Sequence, residues 1–96
     1  MANGYWVMTF QSITDQAGVD KYVAGAGPVI RAHGGRVLAG GMPTFTYEAG
    51  MPQRVAIVEF SSLSAANAAY RSPEYQAAVH HLSGAAERDV RIIEGA

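Results

Sequence analysis

The sequence predicts an α+β domain of the split β-α-β, ferredoxin-like kind: strand, helix, strand, strand, helix pair, strand, with the helices on one face of a four-stranded antiparallel sheet. Three observations lead there. Short β-branched and aromatic runs alternate with stretches whose apolar residues recur every three or four positions. Serine, threonine and aspartate stand ahead of the helical stretches as start signals. The chain has 96 residues, 49% hydrophobic and 16% charged, which suits one folded domain over residues 1–96 and leaves no room for a second core.

Tyr5-Trp6-Val7-Met8-Thr9-Phe10-Gln11 reads as the first strand because β-branched and aromatic side chains suit a pleated, half-buried surface. Thr14-Asp15 offers a helix cap, and Val19, Tyr22, Val23, Ala26, Ile30 and His33 then form one amphipathic stripe. Pro28 lies inside that stripe. It lacks an N–H and crowds the carbonyl of Ala24, so a kink or break is expected there. Gly34-Gly35 ends the helix, and Arg36 to Gly40 is a short second strand. Gly41 to Pro52 has no period and reads as a long loop or ragged hairpin. Arg54 to Phe60 is the third strand. Ser62 caps a short helix with the inner stripe Leu63, Ala66 and Tyr70, and Ser72-Pro73-Glu74 opens another with Tyr75, Ala78, Val79 and Leu82. Val90 to Glu94 closes the chain as the last strand.

Several function classes fall away. Without cysteine there are no disulfides, thiolate nucleophiles or Cys-ligated metals. A formal charge of -1 gives no footprint for nucleic acid. No apolar run approaches the ~20 residues that span a bilayer, and no basic region precedes an apolar stretch at the N-terminus. The expectation is a cytoplasmic protein with neither membrane nor nucleic acid as partner. No serine sits in a Gly-x-Ser-x-Gly elbow, and Gly34-Gly35 and Gly40-Gly41 are turn chemistry rather than phosphate loops.

The strands speak about partners. A sheet covered on one face should alternate apolar and polar residues. Here Tyr5, Val7 and Thr9 oppose Trp6, Met8 and Phe10, and Val55 and Ile57 oppose Ala56, Val58 and Phe60, so both faces are largely apolar. Bare apolar area forgoes about 25 cal/mol per Å² and usually marks an interface. The simplest closure is a homodimer through the open sheet face; the alternative is that the long loop folds over it.

Ala32-His33-Gly34-Gly35-Arg36, Val58-Glu59-Phe60, Tyr70-Arg71-Ser72-Pro73-Glu74-Tyr75-Gln76 and the closing Glu94-Gly95 resemble the bacterial domain-of-unknown-function family thirteen-thirty, over nearly the whole chain and in order. That family belongs to the dimeric α/β-barrel superfamily of ferredoxin-like chains. The resemblance implies a homodimer whose sheets form a barrel, with a cleft in each subunit between helices and sheet. Relatives in the superfamily include cofactor-free monooxygenases, lactone isomerases, polyketide-tailoring enzymes, haem enzymes and stress-induced proteins. Two departures stand out: Thr9 replaces a common acidic or amide residue, and a common arginine near Leu82 is absent, with His80-His81 just before.

Candidate site residues follow. Glu59 shares a strand row with Val55 and Ile57; a carboxylate among apolar neighbours needs a cation or hydrogen bonds, or it becomes a general acid or base near neutral pH. Its alternative is a structural ion pair with Arg36, Arg54 or Arg91. His33 extends the first helical stripe as a second candidate base, or else meets the last carbonyls of its helix. Arg36 would steady a carboxylate or enolate, or lie in solvent at a strand start. Tyr22, Tyr70 and Tyr75 fall on inward stripes and would line a pocket for a ligand carrying an oxygen, or pack as core. Trp6 reads as core or interface. His80 and His81 lie about 100° apart on a helical wheel, with His80 turned to solvent and His81 flanking the cleft, which does not make a metal pair.

The expected function is therefore a small homodimeric enzyme that needs no metal or cofactor and moves protons on a small, partly apolar organic molecule, as an isomerase, lyase, cyclase or oxygenase. Glu59, His33 and Arg36 are its expected catalytic residues, with Tyr22, Tyr70, Tyr75 and His81 around the ligand. The alternative is a non-catalytic metabolite-binding or stress-related dimer.

Overall fold

The computed structural model describes residues 2–96. Its elements are β1 (Gly4–Ile13), α1 (Gln16–Ala32), β2 (Arg36–Gly41), β3 (Arg54–Phe60), α2 (Leu63–Arg71), α3 (Pro73–Val79), a 3-10 turn (His80–Leu82) and β4 (Ala86–Glu94). The strands form one antiparallel sheet in the order β2-β3-β1-β4. This is the split β-α-β topology that the element order predicts, with two pairs of strands interleaved so that β1 and β3 are central.

The caps work as their residue types require. The Asp15 carboxylate accepts from the Ala17 N–H, the Ser62 hydroxyl from Ala65, and the Ser72 hydroxyl from Tyr75. Each satisfies a backbone donor that has no partner within its helix. Gly34, at φ 78°, takes the left-handed conformation after α1, and the Gly35 N–H donates back to the Ile30 carbonyl. Gly35 also has no room for a side chain: a Cβ there would sit 2.6 Å from the Phe60 ring and 2.7 Å from Ile30.

Two expectations are corrected. α1 continues through Pro28 rather than breaking there. Ala24 and Pro28 both lie on the exposed side of α1, so water can satisfy the carbonyl that proline leaves free. The last strand is longer than Val90–Glu94. It begins at Ala86, because β1 runs on to Ile13 past an irregularity between Phe10 and Ser12 and supplies pairing partners for residues 86–89.

The core sits between sheet and helices. Trp6, Met8 and Phe10 of β1 and Val58 and Phe60 of β3 meet Val19, Tyr22, Ala26 and Ile30 of α1, Ala66 and Ala69 of α2, and Tyr75 and Ala78 of α3. Leu63, read as part of the inner stripe, is largely exposed. Trp6 is at the centre: it is wholly buried, its ring packs against Phe60, Tyr70 and Tyr75, and its Nε1 donates to the Ala66 carbonyl at 2.8 Å.

Among the described residues no layer covers the other face of the sheet. Tyr5, Val7 and Thr9, Val55 and Ile57 stand half-buried there, and the molecule measures 36 × 33 × 15 Å, thin enough for one sheet and one layer of helices. The loop between β2 and β3 does not lie across this face as a lid. Phe45 and Tyr47 project from it at 75% and 76% exposure, and Met42 and Pro43 lie at the corner by Val55 and Ile57. Among the described residues no helix is long and apolar enough to cross a membrane.

Candidate functional site

The strand rows decide which candidate residues meet. Glu59 alternates with Val58 and Phe60, so it belongs to the open face, away from the helices. Its register partners are Tyr5 on one side and Arg36 on the other. All three polar neighbours bind it: the Asn3 amide and the Tyr5 hydroxyl donate to Oε2 at 3.2 and 3.0 Å, and Arg36 Nη2 donates to Oε1 at 3.1 Å. The ion-pair alternative for Glu59 is therefore the arrangement the structure contains.

His33 is elsewhere. It closes α1 on the helical side of the sheet, where its backbone N–H reaches the Val29 carbonyl and its Nε2 lies 3.7 Å from Glu74. Glu59, His33 and Arg36 thus do not form one catalytic group, because the sheet separates the first and third from the second. His81 is exposed and does not border the groove between α3, the 3-10 turn and β4, whereas His80 does. The physical reason is the 3-10 turn at His80–Leu82, which winds about 120° per residue instead of about 100° and shifts the wheel that puts His81 beside the cleft.

Two of the three tyrosines do converge. Tyr22 from α1 and Tyr75 from α3 bring their hydroxyls to 2.6 Å. Tyr70 packs its ring 5.4 Å from that of Tyr75 and borders the groove, but its hydroxyl is not part of the pair. Onto the two phenol oxygens comes a group missed in the sequence, Arg88 of β4. Its Nη1 donates to Tyr22 at 3.0 Å and to the Met8 sulfur at 3.1 Å, and its Nη2 donates to Tyr75 at 2.9 Å. The guanidinium also lies over the Tyr22 ring, 4.6 Å from its centroid, the geometry of a cation–π contact. The signal that would have found Arg88 is parity: it shares the inward row of Val90 and Ile92, which face Met8 and Trp6.

The electrostatics follow from that placement. Burial pushes the Tyr75 phenol far above its ordinary pKa, and the neighbouring Tyr22 adds to the shift, so Tyr75 stays protonated. Burial works against the Arg88 charge, but the Tyr22 and Tyr75 oxygens more than offset it, so its pKa lies above the ordinary value and the cation persists. Arg88 forms part of the wall of a groove of about 670 Å³ between α3, the 3-10 turn and β4. Tyr70, Val79, Leu82 and Val90 supply apolar surface there, and His80 and Glu87 stand at the lip. A smaller, apolar cavity of about 170 Å³ lies under α1, bordered by Tyr22, Ala26, Ile30 and Phe10. Among the described residues no three histidines and carboxylates come together as metal ligands.

A four-stranded antiparallel sheet with helices on one side defines a ferredoxin-like α+β chain. Residues 3–96 match the family model described as "Domain of unknown function (DUF1330)", and the chain belongs to that family. Solved structures share the fold. A protein of unknown function from Rhodopseudomonas palustris is 24% identical, with a TM-score of 0.70 over 97% of this chain and 80% of that one. SnoaB, a cofactor-independent oxygenase from Streptomyces nogalater, is 12% identical, with a TM-score of 0.69 over 97% and 92%. A dimeric ferredoxin-like protein of unknown function from Thermobifida fusca is 13% identical, with a TM-score of 0.63 over 96% and 90%. No curated protein matches the chain in sequence.

Proposed function

We propose that this chain works as a homodimer, closed through its open sheet face, that takes a small, partly apolar organic molecule beneath its helices and acts on it by acid–base chemistry with side chains alone. The observation that carries the reading is the groove of about 670 Å³ with a half-buried arginine in its wall. A charged Arg88 beside protonated Tyr75 suits a ligand oxygen on which negative charge develops. His80 and Glu87 at the lip are of the types that accept a proton near neutral pH. Isomerase, lyase, cyclase and cofactor-independent oxygenase reactions that begin by removing a proton next to a carbonyl or phenol oxygen use such a pairing of proton acceptor and oxyanion holder. In this reading Glu59, Tyr5 and Arg36 belong to the interface between subunits, and Tyr22, Tyr70 and Tyr75 belong to the ligand site. The oxygenase from Streptomyces nogalater supports the reading by analogy of fold, and the Thermobifida fusca protein supports the dimer.

A second reading, a non-catalytic metabolite-binding dimer, is favoured by one observation: the two residues most suited by sequence to proton transfer, Glu59 and His33, both face an ionic partner outside the groove. Native mass spectrometry after incubation with a bacterial metabolite extract separates these readings. The expected result is a dimer that carries one small molecule per subunit, with Val7→Asp, a charge on the bare face, reducing it to a monomer. A bound molecule that changes with time, in mass or in chromatographic retention at constant mass, supports the enzyme, and one that changes in neither supports the binder. A wild-type monomer at micromolar concentration overturns the dimer, and a dimer that captures nothing overturns the small-molecule role.

A further inference from the structure

The Arg88 cluster has many donors and few acceptors. A guanidinium carries five N–H groups. Three of them are used within the chain, two on Nη1 and one on Nη2, and all three go to neutral acceptors: two phenols and a thioether. The phenols contribute two more O–H donors, of which one is consumed between them. Among the described residues the ion pairs are His33–Glu74 and Arg36–Glu59, so no carboxylate reaches Arg88. Tyr75 remains protonated and supplies no negative charge. A half-buried cation held only by neutral groups is short of an anion.

The geometry also fixes where that anion would bind. Nη1 and Nη2 point together at phenol oxygens 2.6 Å apart, which resemble the two oxygens of a carboxylate and use up the end of the guanidinium. What remains is its side: Nε–H and the second Nη2–H, two parallel donors of the kind that grip a carboxylate in two places. Among the described residues no buried side-chain nitrogen or oxygen lacks a partner, so the unbonded Nε is open to the surroundings rather than sealed in. Arg88 borders the groove, whose walls hold no lysine and no second arginine. Glu87 at the lip adds a negative charge of its own. Arg88 carries one positive charge, which a singly charged ligand neutralises, whereas a phosphate or a dicarboxylate would leave negative charge uncompensated beside Glu87.

We propose that the free side of Arg88 binds the carboxylate of a small monocarboxylic acid whose apolar body lies along Val79, Leu82 and Val90 in the groove. The Tyr22–Tyr75 pair is the positioning element: it holds the guanidinium by its end and turns its side to the ligand. This names the ligand class for the groove of the proposed function and so rests on that reading.

The test uses the whole chain, labelled with ¹⁵N, and three probes of one shape: sodium benzoate, benzamide and benzyl alcohol. Benzoate is expected to shift the Arg88 Nε–H resonance together with the amides of Val79, Leu82 and Val90. The two neutral probes are expected to bind at least tenfold more weakly. Arg88→Lys keeps the charge but loses the two parallel donors, and is expected to weaken benzoate at least tenfold while benzamide is unchanged. Should that variant fail to fold, the contrast between benzoate and benzamide on the wild-type protein, read at Nε–H, still decides. Benzamide binding the groove as tightly as benzoate, or benzoate binding without moving Nε–H, overturns the carboxylate assignment and leaves the groove as a ligand site. No groove shift with any probe overturns the carboxylate site and counts against the groove itself.

Discussion

The two faces of this sheet are built from similar residue types and have different fates. On β1, Trp6, Met8 and Phe10 are at most 6% exposed beneath the helices, whereas their neighbours Tyr5, Val7 and Thr9 stand half-buried on a side with no covering layer. On the covered face Arg88 is half-buried among two phenols, a sulfur and an aromatic ring, whereas Arg54 and Glu94, at the ends of the same inward rows, are exposed. The bare face holds its charges in the open, as Glu59 with Arg36 and as Asp89 with the Gln11 amide. Charge on the covered face is expensive and therefore specific; charge on the bare face costs little until something covers it.

The largest expected effect tests the covered face. Trp6→Ala removes the ring against which Phe60, Tyr70 and Tyr75 pack, and it leaves the Ala66 carbonyl without its donor. Truncation of a wholly buried tryptophan costs about 3–5 kcal/mol. Urea denaturation should show the midpoint fall accordingly. A loss below about 1 kcal/mol would mean that α2 and α3 are not held to the sheet through this residue, and the contrast between the faces would lose its basis.

This contrast is largely legible in the order of residues alone, because strand parity needs nothing more. Alternation puts Trp6, Met8, Phe10, Val58 and Phe60 on one side and Glu59 on the other. Ser62 and Ser72 announce their helices by chemistry that acts within four residues. What stays hidden depends on partners far along the chain. Residues 86–89 read as polar and form a strand only because β1 extends to pair with them, so the local sequence gives Arg88 no strand to be inward on. Pro28 reads as a kink or break because the cost of a missing N–H depends on whether the freed carbonyl reaches water, which local sequence does not specify. His80 and His81 exchange places with the tightening of one turn. Tyr22 and Tyr75 fall on inward stripes, but their hydrogen bond is a tertiary fact.

The next effect in size reads that buried pair through pH. In the unfolded chain the Tyr75 phenol ionises near pH 10, while burial keeps it protonated to higher pH in the folded protein. Above about pH 10 the folded state therefore binds one proton more than the unfolded state. The stabilisation is complete below that pH and is lost as the pH rises further, at up to about 1.4 kcal/mol per pH unit for one proton. Tyr75→Phe removes the proton in question, so its stability should fall less steeply across the alkaline range. Equal slopes for the two proteins, followed by urea unfolding from pH 9 upward, would show that the phenol is wetter than the packing around it implies.

The smallest effect belongs to the bare face and bears on its partner. Arg36 and Glu59 form their pair with side chains 72% and 21% exposed. Exposed pairs contribute about 0–1 kcal/mol, and Glu59 keeps the Tyr5 hydroxyl and the Asn3 amide if the arginine goes. Arg36→Ala should therefore cost no more than about 1 kcal/mol in dilute protein and less at high salt. The informative variable is concentration. A second subunit laid over this face would desolvate Glu59, and breaking a buried pair costs about 3–5 kcal/mol because the remaining charge has nowhere to go. A small loss at nanomolar protein that grows toward that range as the protein is concentrated would place the pair beneath the partner. A loss that stays small at every concentration would put it at the rim of the interface, and the contact between subunits would then centre on Val7, Ile57 and Ile93.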